Sequence, residues 1–406
     1  MKYRKDERIV FSGLTEEKWQ QVMTLPTPSY IIDEAQLQRN GEILLDIQKQ
    51  TGCKILLAQK AFSNFGVYPM LSSYLAGTEA SGLYEAKLGK TKMPSGECHV
   101  FCGAYKESEF EELLQYADHI VFNSPAQLKK YGERAKSAGK SIGIRINPEC
   151  STQDGHEIYD PCAPGGRLGT TRTAWDEAMD EELVSMLDGI HFHTLCEQNA
   201  DALEITLNAV EEKFADVLAH VKWLNMGGGH HITREDYDRK LLVKCIERMQ
   251  QKYGVEVYLE PGEAVALNAG YLVSEVLDIV RNGGVTNLIL DMSAACHTPD
   301  VIEMPYLPPV MNAVSDAKED RENTHRYRLG GPTCLSGDIV GDYSFTEEVT
   351  TGDKIVFGDM AIYTTCKNNT FNGMKLPDIY LLKEDGSVEC LASFGYEDFE
   401  YRLGNV

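Results

Sequence analysis

The stretch Lys54-Ile55-Leu56-Leu57-Ala58-Gln59-Lys60-Ala61-Phe62-Ser63 carries an apolar run directly into a lysine. A continuous run of this length reads as a strand buried on both faces, as in a parallel sheet. An ammonium at its end is costly to bury, so Lys60 either points out of the sheet or is tuned for chemistry. Lysines of the second kind form Schiff bases with carbonyl compounds.

Outward from that strand the pattern repeats. Helical spacing over 35–50 precedes it, and strand candidates follow at 78–83, 99–104, 119–123, 142–147, 189–194, 221–226 and 255–259. With the 55–62 run that makes eight. The segments between them have helical spacing, clearest over 201–220, where Leu203, Leu207, Val210, Phe214, Val217 and Leu218 share one face. Eight strands, each followed by a helix, predict an α/β fold with a (β/α)8 barrel. An open doubly wound sheet gives the same local pattern, and the polar residues decide between them. Barrel active sites collect at the carboxyl ends of the strands. Here Lys60 closes strand one, His193 strand six, Gly227-Gly228-Gly229 strand seven, and Glu260-Pro261-Gly262-Glu263 strand eight. Strand eight adjoins strand one in a closed barrel, which puts Lys60 and Glu260 on one cavity. After Ala264 the pattern changes to hairpins, 271–280 with 287–291 around Asn282-Gly283-Gly284, and 379–382 with 388–391. The expected domains are a barrel over 28–264 and a β-rich domain over 265–406 that includes part of 1–27.

The chain of 406 residues is long enough for two domains, and its 43% hydrophobic and 25% charged content is that of a globular protein. A net charge of −23 disfavours nucleic acid and anionic membranes as partners and modestly favours cationic ligands. The charged start Met1-Lys2-Tyr3-Arg4-Lys5-Asp6-Glu7-Arg8 and the lack of a long apolar run lead to the expectation of a cytoplasmic protein. The 11 cysteines lack the paired short spacings of a zinc ribbon and read as reduced thiols.

Each motif has a plain reading beside a chemical one. Three glycines after an apolar strand let backbone N–H groups approach an anion, but also make an ordinary loop. His191-Phe192-His193 places two imidazoles on one strand face, as in some barrel zinc sites, or is simply a hydrogen-bonded core pair. Glu260 is a surface carboxylate unless it lies in a cavity, where it needs a cation or a protonated ring nitrogen. Gly331-Pro332-Thr333-Cys334-Leu335-Ser336-Gly337-Asp338 is loop-forming, and an exposed thiol there can act as an acid, whereas a lone cysteine is by default inert.

A lysine for an aldehyde, a glycine cradle for a phosphate, an imidazole to stack and a carboxylate for a ring nitrogen together match what pyridoxal 5'-phosphate requires. From about Thr27 to its C-terminus the chain resembles the fold-type III pyridoxal-phosphate decarboxylases, whose barrel is like that of alanine racemase. Within that family it is similar to the carboxynorspermidine branch, on Glu260-Pro261-Gly262-Glu263-Ala264 and on His297-Thr298-Pro299-Asp300-Val301-Ile302-Glu303-Met304-Pro305. The resemblance implies that Lys60 carries the cofactor covalently, His193 stacks on its ring, and Gly227, Gly228, Gly229 and Tyr363 hold its phosphate. It also implies that Glu260 pairs with the ring nitrogen, and that Cys334 reaches the partner's site in a homodimer with shared active sites. Phe371-Asn372-Gly373 matches a further family stretch near the cofactor. Ornithine and diaminopimelate decarboxylases have an arginine where this chain has Glu263, so a substrate with a distal carboxylate is disfavoured.

The function so implied is decarboxylation of carboxynorspermidine or carboxyspermidine to norspermidine or spermidine and CO2, with Cys334 returning a proton to the α-carbon. A cationic tail needs acids, and Glu263, Asp300 and Asp338 are the candidates. No metal is expected. The rivals are a decarboxylase of another basic amino acid, of the diaminopimelate, ornithine or lysine type, a zinc-dependent barrel hydrolase, and a non-catalytic regulator of polyamine synthesis, which would be expected to lack Lys60 or Cys334.

Overall fold

In the computed structural model residues 11, 13–153, 160–314 and 324–404 are described. A strand β1 (Ser29–Asp33) and the helix Glu34–Thr51 lead into eight parallel strands that close on themselves. These are β2 (Lys54–Ala58), β3 (Gly77–Ala80), β4 (Glu97–Phe101), β5 (His119–Phe122), β6 (Ser141–Arg145), β7 (Gly189–His191), β8 (Trp223–Asn225) and β9 (Glu256–Leu259). Closure is made where Lys54 and Ile55 pair with Tyr258 and Leu259. The barrel expected from the sequence is present, with most strands ending earlier than their apolar runs. Ala61 and Phe62 remain fully buried beyond the end of β2, which is why periodicity alone extended that strand too far.

The outer helices follow the predicted stripes. Helix Ala200–Leu218 buries Leu203, Leu207, Val210, Phe214, Val217 and Leu218, the face read from the sequence. Inside the barrel, the Trp223 indole packs with Leu56, Val121 and Tyr258 and donates from Nε1 to Ser141 Oγ at 2.9 Å. Room for it comes from two neighbouring strands: a Cβ at Gly189 would stand 1.9 Å from the indole, and one at Gly143 2.3 Å.

The second unit is a nine-stranded mixed sheet. Its strands are β1, β10 (Gly270–Asn282), β11 (Val285–Leu290), β12 (Ala313–Val314), β13 (His325–Gly330), β14 (Ile339–Phe345), β15 (Lys354–Gly358), β16 (Asp378–Leu382) and β17 (Val388–Ala392). Both expected hairpins form. The first turns at Gly283 (φ 57°) and Gly284 (φ 82°), positive values that suit glycine at both centres of a two-residue turn. The sequence reading missed β1, which runs antiparallel to β10 and parallel to β16. The chain divides into Gln38–Val265 and a unit made of everything up to Leu37 with Ala266 onward. Residues 28–37, assigned to the barrel from sequence, thus belong with the sheet, because β1 finds its hydrogen-bond partners there. Among the described residues no helix is long and apolar enough to cross a membrane.

The indole contact has a testable cost. Gly189→Ala should lower unfolding free energy by about 1–3 kcal/mol or more, measured by denaturant titration, since a rigid ring and a strand cannot both yield. Gly82→Ala, where a Cβ meets nothing within 4 Å, should be close to neutral.

Candidate active site

The loops beyond the carboxyl ends of the barrel strands carry the candidate residues, and each is braced locally. Lys60 lies two residues past β2 and is exposed. The Gln59 N–H before it donates to the Glu79 carbonyl at 3.2 Å, and the buried Gln59 amide donates to the Glu85 carbonyl at 2.9 Å. The Pro261-Gly262 turn packs against this bend: Ala58 N–H donates to the Pro261 carbonyl at 3.3 Å, and a Cβ on Gly262 would stand 2.6 Å from that of Ala61. The Lys60 turn and the Glu260 turn are therefore neighbours, as the sequence implied.

Glu260 is buried, and its carboxylate is gripped from two sides. His191 Nε2 lies 3.1 Å from Oε2, and Asn225 Nδ2 donates to Oε1 at 2.5 Å. Burial pushes this carboxyl up, but His191 and the Asn225 hydrogen bond outweigh it and hold it below the usual range. Burial holds His191 low, so it is a neutral ring donating its Nε2 proton. Glu79, on β3, has the opposite fate. Burial and the charge of Glu260 raise it well above the usual carboxylate range, only partly offset by Lys60, so it carries a proton.

His193 is partly exposed, and its Nδ1 accepts the Gly228 N–H at 2.8 Å. Burial and the positive charges of Lys60 and Arg145 hold it well below its ordinary value. An accepting Nδ1 on a neutral ring leaves the proton on Nε2. Arg145, buried at the end of β6, donates to the His193 carbonyl at 3.1 Å and lies over Phe101 at 4.7 Å. Burial brings it down to about 10, still a cation at neutral pH. The glycine turn needs its composition: Gly227 (φ 67°) and Gly229 (φ 81°) would each drive a Cβ into a backbone carbonyl, at 2.3 Å and 2.0 Å. Glu263 opens the helix Glu263–Ala266, partly exposed, with Oε2 3.4 Å from His231 Nε2.

The other candidates lie in the sheet unit. Cys334 is exposed, and its thiol donates to Asn372 Oδ1 at 2.9 Å. Asn372 has φ 61°, so the Phe371-Asn372-Gly373 stretch holds an uncommon backbone conformation beneath the thiol. Tyr363 is also at positive φ (59°), with Lys367 Nζ 5.6 Å from its ring centre. Asp338 is buried and fully engaged: Oδ1 accepts from Ser293 Oγ (2.9 Å) and Ala295 N (3.1 Å), Oδ2 from Thr333 Oγ1 (2.7 Å) and Thr333 N (3.4 Å). It ties down the Cys334 loop and has no lone pair left for a ligand. Asp300 is paired with Lys367, which also meets Glu303 at 2.8 Å, so its charge is largely met within its own unit.

Glu79, Arg145 and Asn225 were not singled out from sequence. Their signal was legible: each is a strongly polar residue in a buried parallel strand, where an unpartnered polar group is costly. In the His191-Phe192-His193 pair one nitrogen of each ring is committed, His191 Nε2 to Glu260 and His193 Nδ1 to the Gly228 N–H. Among the described residues one group has metal-ligand spacing, Glu97, His99 and His119 at the amino-terminal end of the barrel. The two rings stack at 3.9 Å with planes 13° apart, so one ion cannot lie near both ring planes.

The barrel set fits pyridoxal 5'-phosphate. An ionised buried carboxylate suits a protonated ring nitrogen, the neutral His193 ring a π-face and the exposed Lys60 an aldehyde, while the glycine turn lets a phosphate approach without side-chain obstruction even though the Gly227 and Gly228 N–H groups are committed to Asn225 and His193.

Comparison with known proteins agrees with this set. Residues 29–361 match the model of the pyridoxal-dependent decarboxylase family with the C-terminal sheet domain. A carboxynorspermidine/carboxyspermidine decarboxylase of Campylobacter jejuni is 42% identical over 390 residues, covering 93% of this chain and 98% of the relative. A carboxyaminopropylagmatine decarboxylase of Synechocystis is 38% identical, covering 94% and 96%. The crystal structure of Campylobacter jejuni carboxynorspermidine decarboxylase complexed with norspermidine superposes with a TM-score of 0.86 at 40% identity, covering 93% of this chain and all of that one. The chain belongs to the pyridoxal-dependent decarboxylase family.

The protonated state of Glu79 gives a signed expectation. Its folded pKa is raised above the unfolded value, so its contribution to stability is complete below the unfolded pKa and is lost as pH rises toward the folded one. Glu79→Gln fixes the neutral form. Its stability relative to the native protein should therefore improve steadily from about pH 5 upward in denaturant titrations, and a pH-independent difference would show that Glu79 is ionised.

Proposed function

We propose that the protein decarboxylates carboxynorspermidine or carboxyspermidine with pyridoxal 5'-phosphate, giving norspermidine or spermidine and CO2. The observation that carries the substrate is the likeness to the Campylobacter jejuni decarboxylase along 98% of that protein's length, with Glu263 at the mouth of the Glu260 turn. The Synechocystis relative favours a second reading, a carboxyaminopropylagmatine substrate. In both readings an α-carboxylate is lost from a molecule whose remainder is cationic.

When bound, the cofactor supplies an electron sink for the pair left behind as CO2 departs. The chain's own groups prepare that event. Lys60, exposed just past β2, would be the residue that holds the cofactor's aldehyde. Glu260, held ionised by Asn225 and His191, keeps a proton on the ring nitrogen. His193 would stack on the ring, and the Gly227 to Gly229 turn and Tyr363 would hold the phosphate. Glu263 meets an ammonium of the tail, with Asp300 a weaker second because Lys367 already answers it. Asp338, whose oxygens are all used, acts on the Cys334 loop rather than on the tail. Cys334 gives its proton to the α-carbon, and we place it in the site of a partner subunit in a homodimer. The Asn372 contact holds the Sγ of that exposed thiol in place.

Three measurements follow. Borohydride reduction with pyridoxal 5'-phosphate should fix the label on the Lys60 peptide, and label on another lysine would defeat the assignment. Inactive Lys60→Ala and Cys334→Ala subunits, mixed and allowed to exchange, should regain activity; none would mean that Cys334 serves its own chain. Glu263→Gln should keep the visible absorbance of the bound cofactor and lower kcat/KM for the carboxypolyamine by about ten- to a thousandfold, equivalent to ~1.5–4 kcal/mol. Faster turnover of diaminopimelate than of all three carboxylated polyamines would overturn the substrate while leaving the reaction class.

A further inference from the structure

Asn225 closes β8, fully buried, in register with His191 on β7. Its side-chain amide is used at both ends. Oδ1 accepts the Gly227 N–H at 2.9 Å, and Nδ2 donates to Glu260 Oε1 at 2.5 Å. The backbone closes the same circuit, because Glu260 N–H donates to the Gly227 carbonyl at 2.8 Å. One residue is therefore bonded to the first N–H of the glycine turn and to the carboxylate assigned to the ring nitrogen. These are the two ends of the cofactor site as read above.

We infer that Asn225 is a positioning residue that couples the phosphate turn to the ring-nitrogen carboxylate. This rests on the cofactor reading under Proposed function. An amide is the side chain that serves both contacts, since one end must accept an N–H and the other must donate to an anion. Aspartate has the same shape and keeps the first contact, but it sets a second carboxylate against Glu260. Two carboxylates at that distance cannot both ionise, and one takes up a proton. The identity of this residue thus decides whether Glu260 stands as an anion opposite the ring nitrogen. His191 grips the other oxygen of the carboxylate, Oε2. Oδ1 also turns the Gly227 N–H inward, so that N–H fixes the turn instead of meeting a ligand.

The test uses purified full-length protein and pyridoxal 5'-phosphate. Asn225→Ala loses both contacts and should weaken cofactor binding on the order of ten- to a hundredfold in an absorbance or fluorescence titration. Asn225→Asp should keep more of that affinity. Its bound-cofactor absorbance should show a new ionisation between about pH 5 and about pH 8, where the native protein is flat. The new ionisation should disappear in the Asn225→Asp, Glu260→Gln double variant, because only one carboxylate is then left. A purely structural role for Asn225 would lower thermal stability in the Asp variant without that pH signature or its loss in the double variant, and this result would overturn the proposal. If Asn225→Ala does not fold, the isosteric Asp pair of variants decides alone. Failure of the native protein to bind pyridoxal 5'-phosphate would instead bring down the cofactor reading, and this inference with it.

Discussion

A carboxylate stripped of water costs several kcal/mol unless hydrogen bonds and charge replace the solvent, and the interior of this barrel is arranged around that cost at Glu260. Asn225 and His191 each take one oxygen. The protonation states around it then follow. Glu79 cannot add a second negative charge nearby and stays neutral. His191 must donate its Nε2 proton, and His193 is neutral with its Nδ1 occupied by the glycine turn. Arg145, the permanent cation of this layer, is held by the His193 carbonyl and the Phe101 ring. The site carries a single buried anion pointed at one place, which is the electrostatic preparation that a protonated ring nitrogen requires.

The opposite end of the barrel is built to a different purpose. Lys54 bridges Glu97 at 2.5 Å and Glu256 at 2.9 Å, and Tyr258 donates to Glu256 at 2.7 Å. Burial pulls Glu97 up, but hydrogen bonds from His99 and Lys54 prevail and bring it down to about 2. Burial beside His99 brings the His119 ring down to about 3, so it packs as a neutral face. Above this network the Trp223 indole fills the space left by Gly143 and Gly189. The ion pairs at this end are made within the barrel rim itself, which leaves the carboxyl-end loops free to hold strained or reactive groups without supporting the barrel.

This division explains what was legible in the sequence. The eight strands, the helix over 201–220 and both hairpins announce themselves through periodicity and turn residues, because burial imposes one pattern on many positions. Lys60, His193, the three glycines and Glu260 were found because each follows an apolar run. Glu79, Arg145 and Asn225 were passed over because each is counted within its strand rather than after it, where a polar residue looks like noise until its partners on neighbouring strands are known. Strand β1 was missed for a related reason. Its five residues are all buried, but their partners are β10 and β16, hundreds of positions further along the chain.

The acids show the same limit from the other side. Glu263, Asp300 and Asp338 are indistinguishable as letters, and each was a reasonable receptor for an amine. Local hydrogen-bond demand separates them. Asp338 accepts from Ser293, Ala295 and Thr333 at once, so its charge is consumed in shaping the Cys334 loop. Asp300 is answered by Lys367, and a substrate ammonium would have to compete with a tethered one at high effective concentration. Glu263 has an imidazole beside it. Its neighbour His231 lies 3.4 Å away and is buried. In the reading proposed above, an ammonium arriving with the substrate would meet Glu263 beside an imidazole rather than beside a tethered ammonium, which favours the carboxylate three residues after Glu260 as the one that reads the charge of the tail.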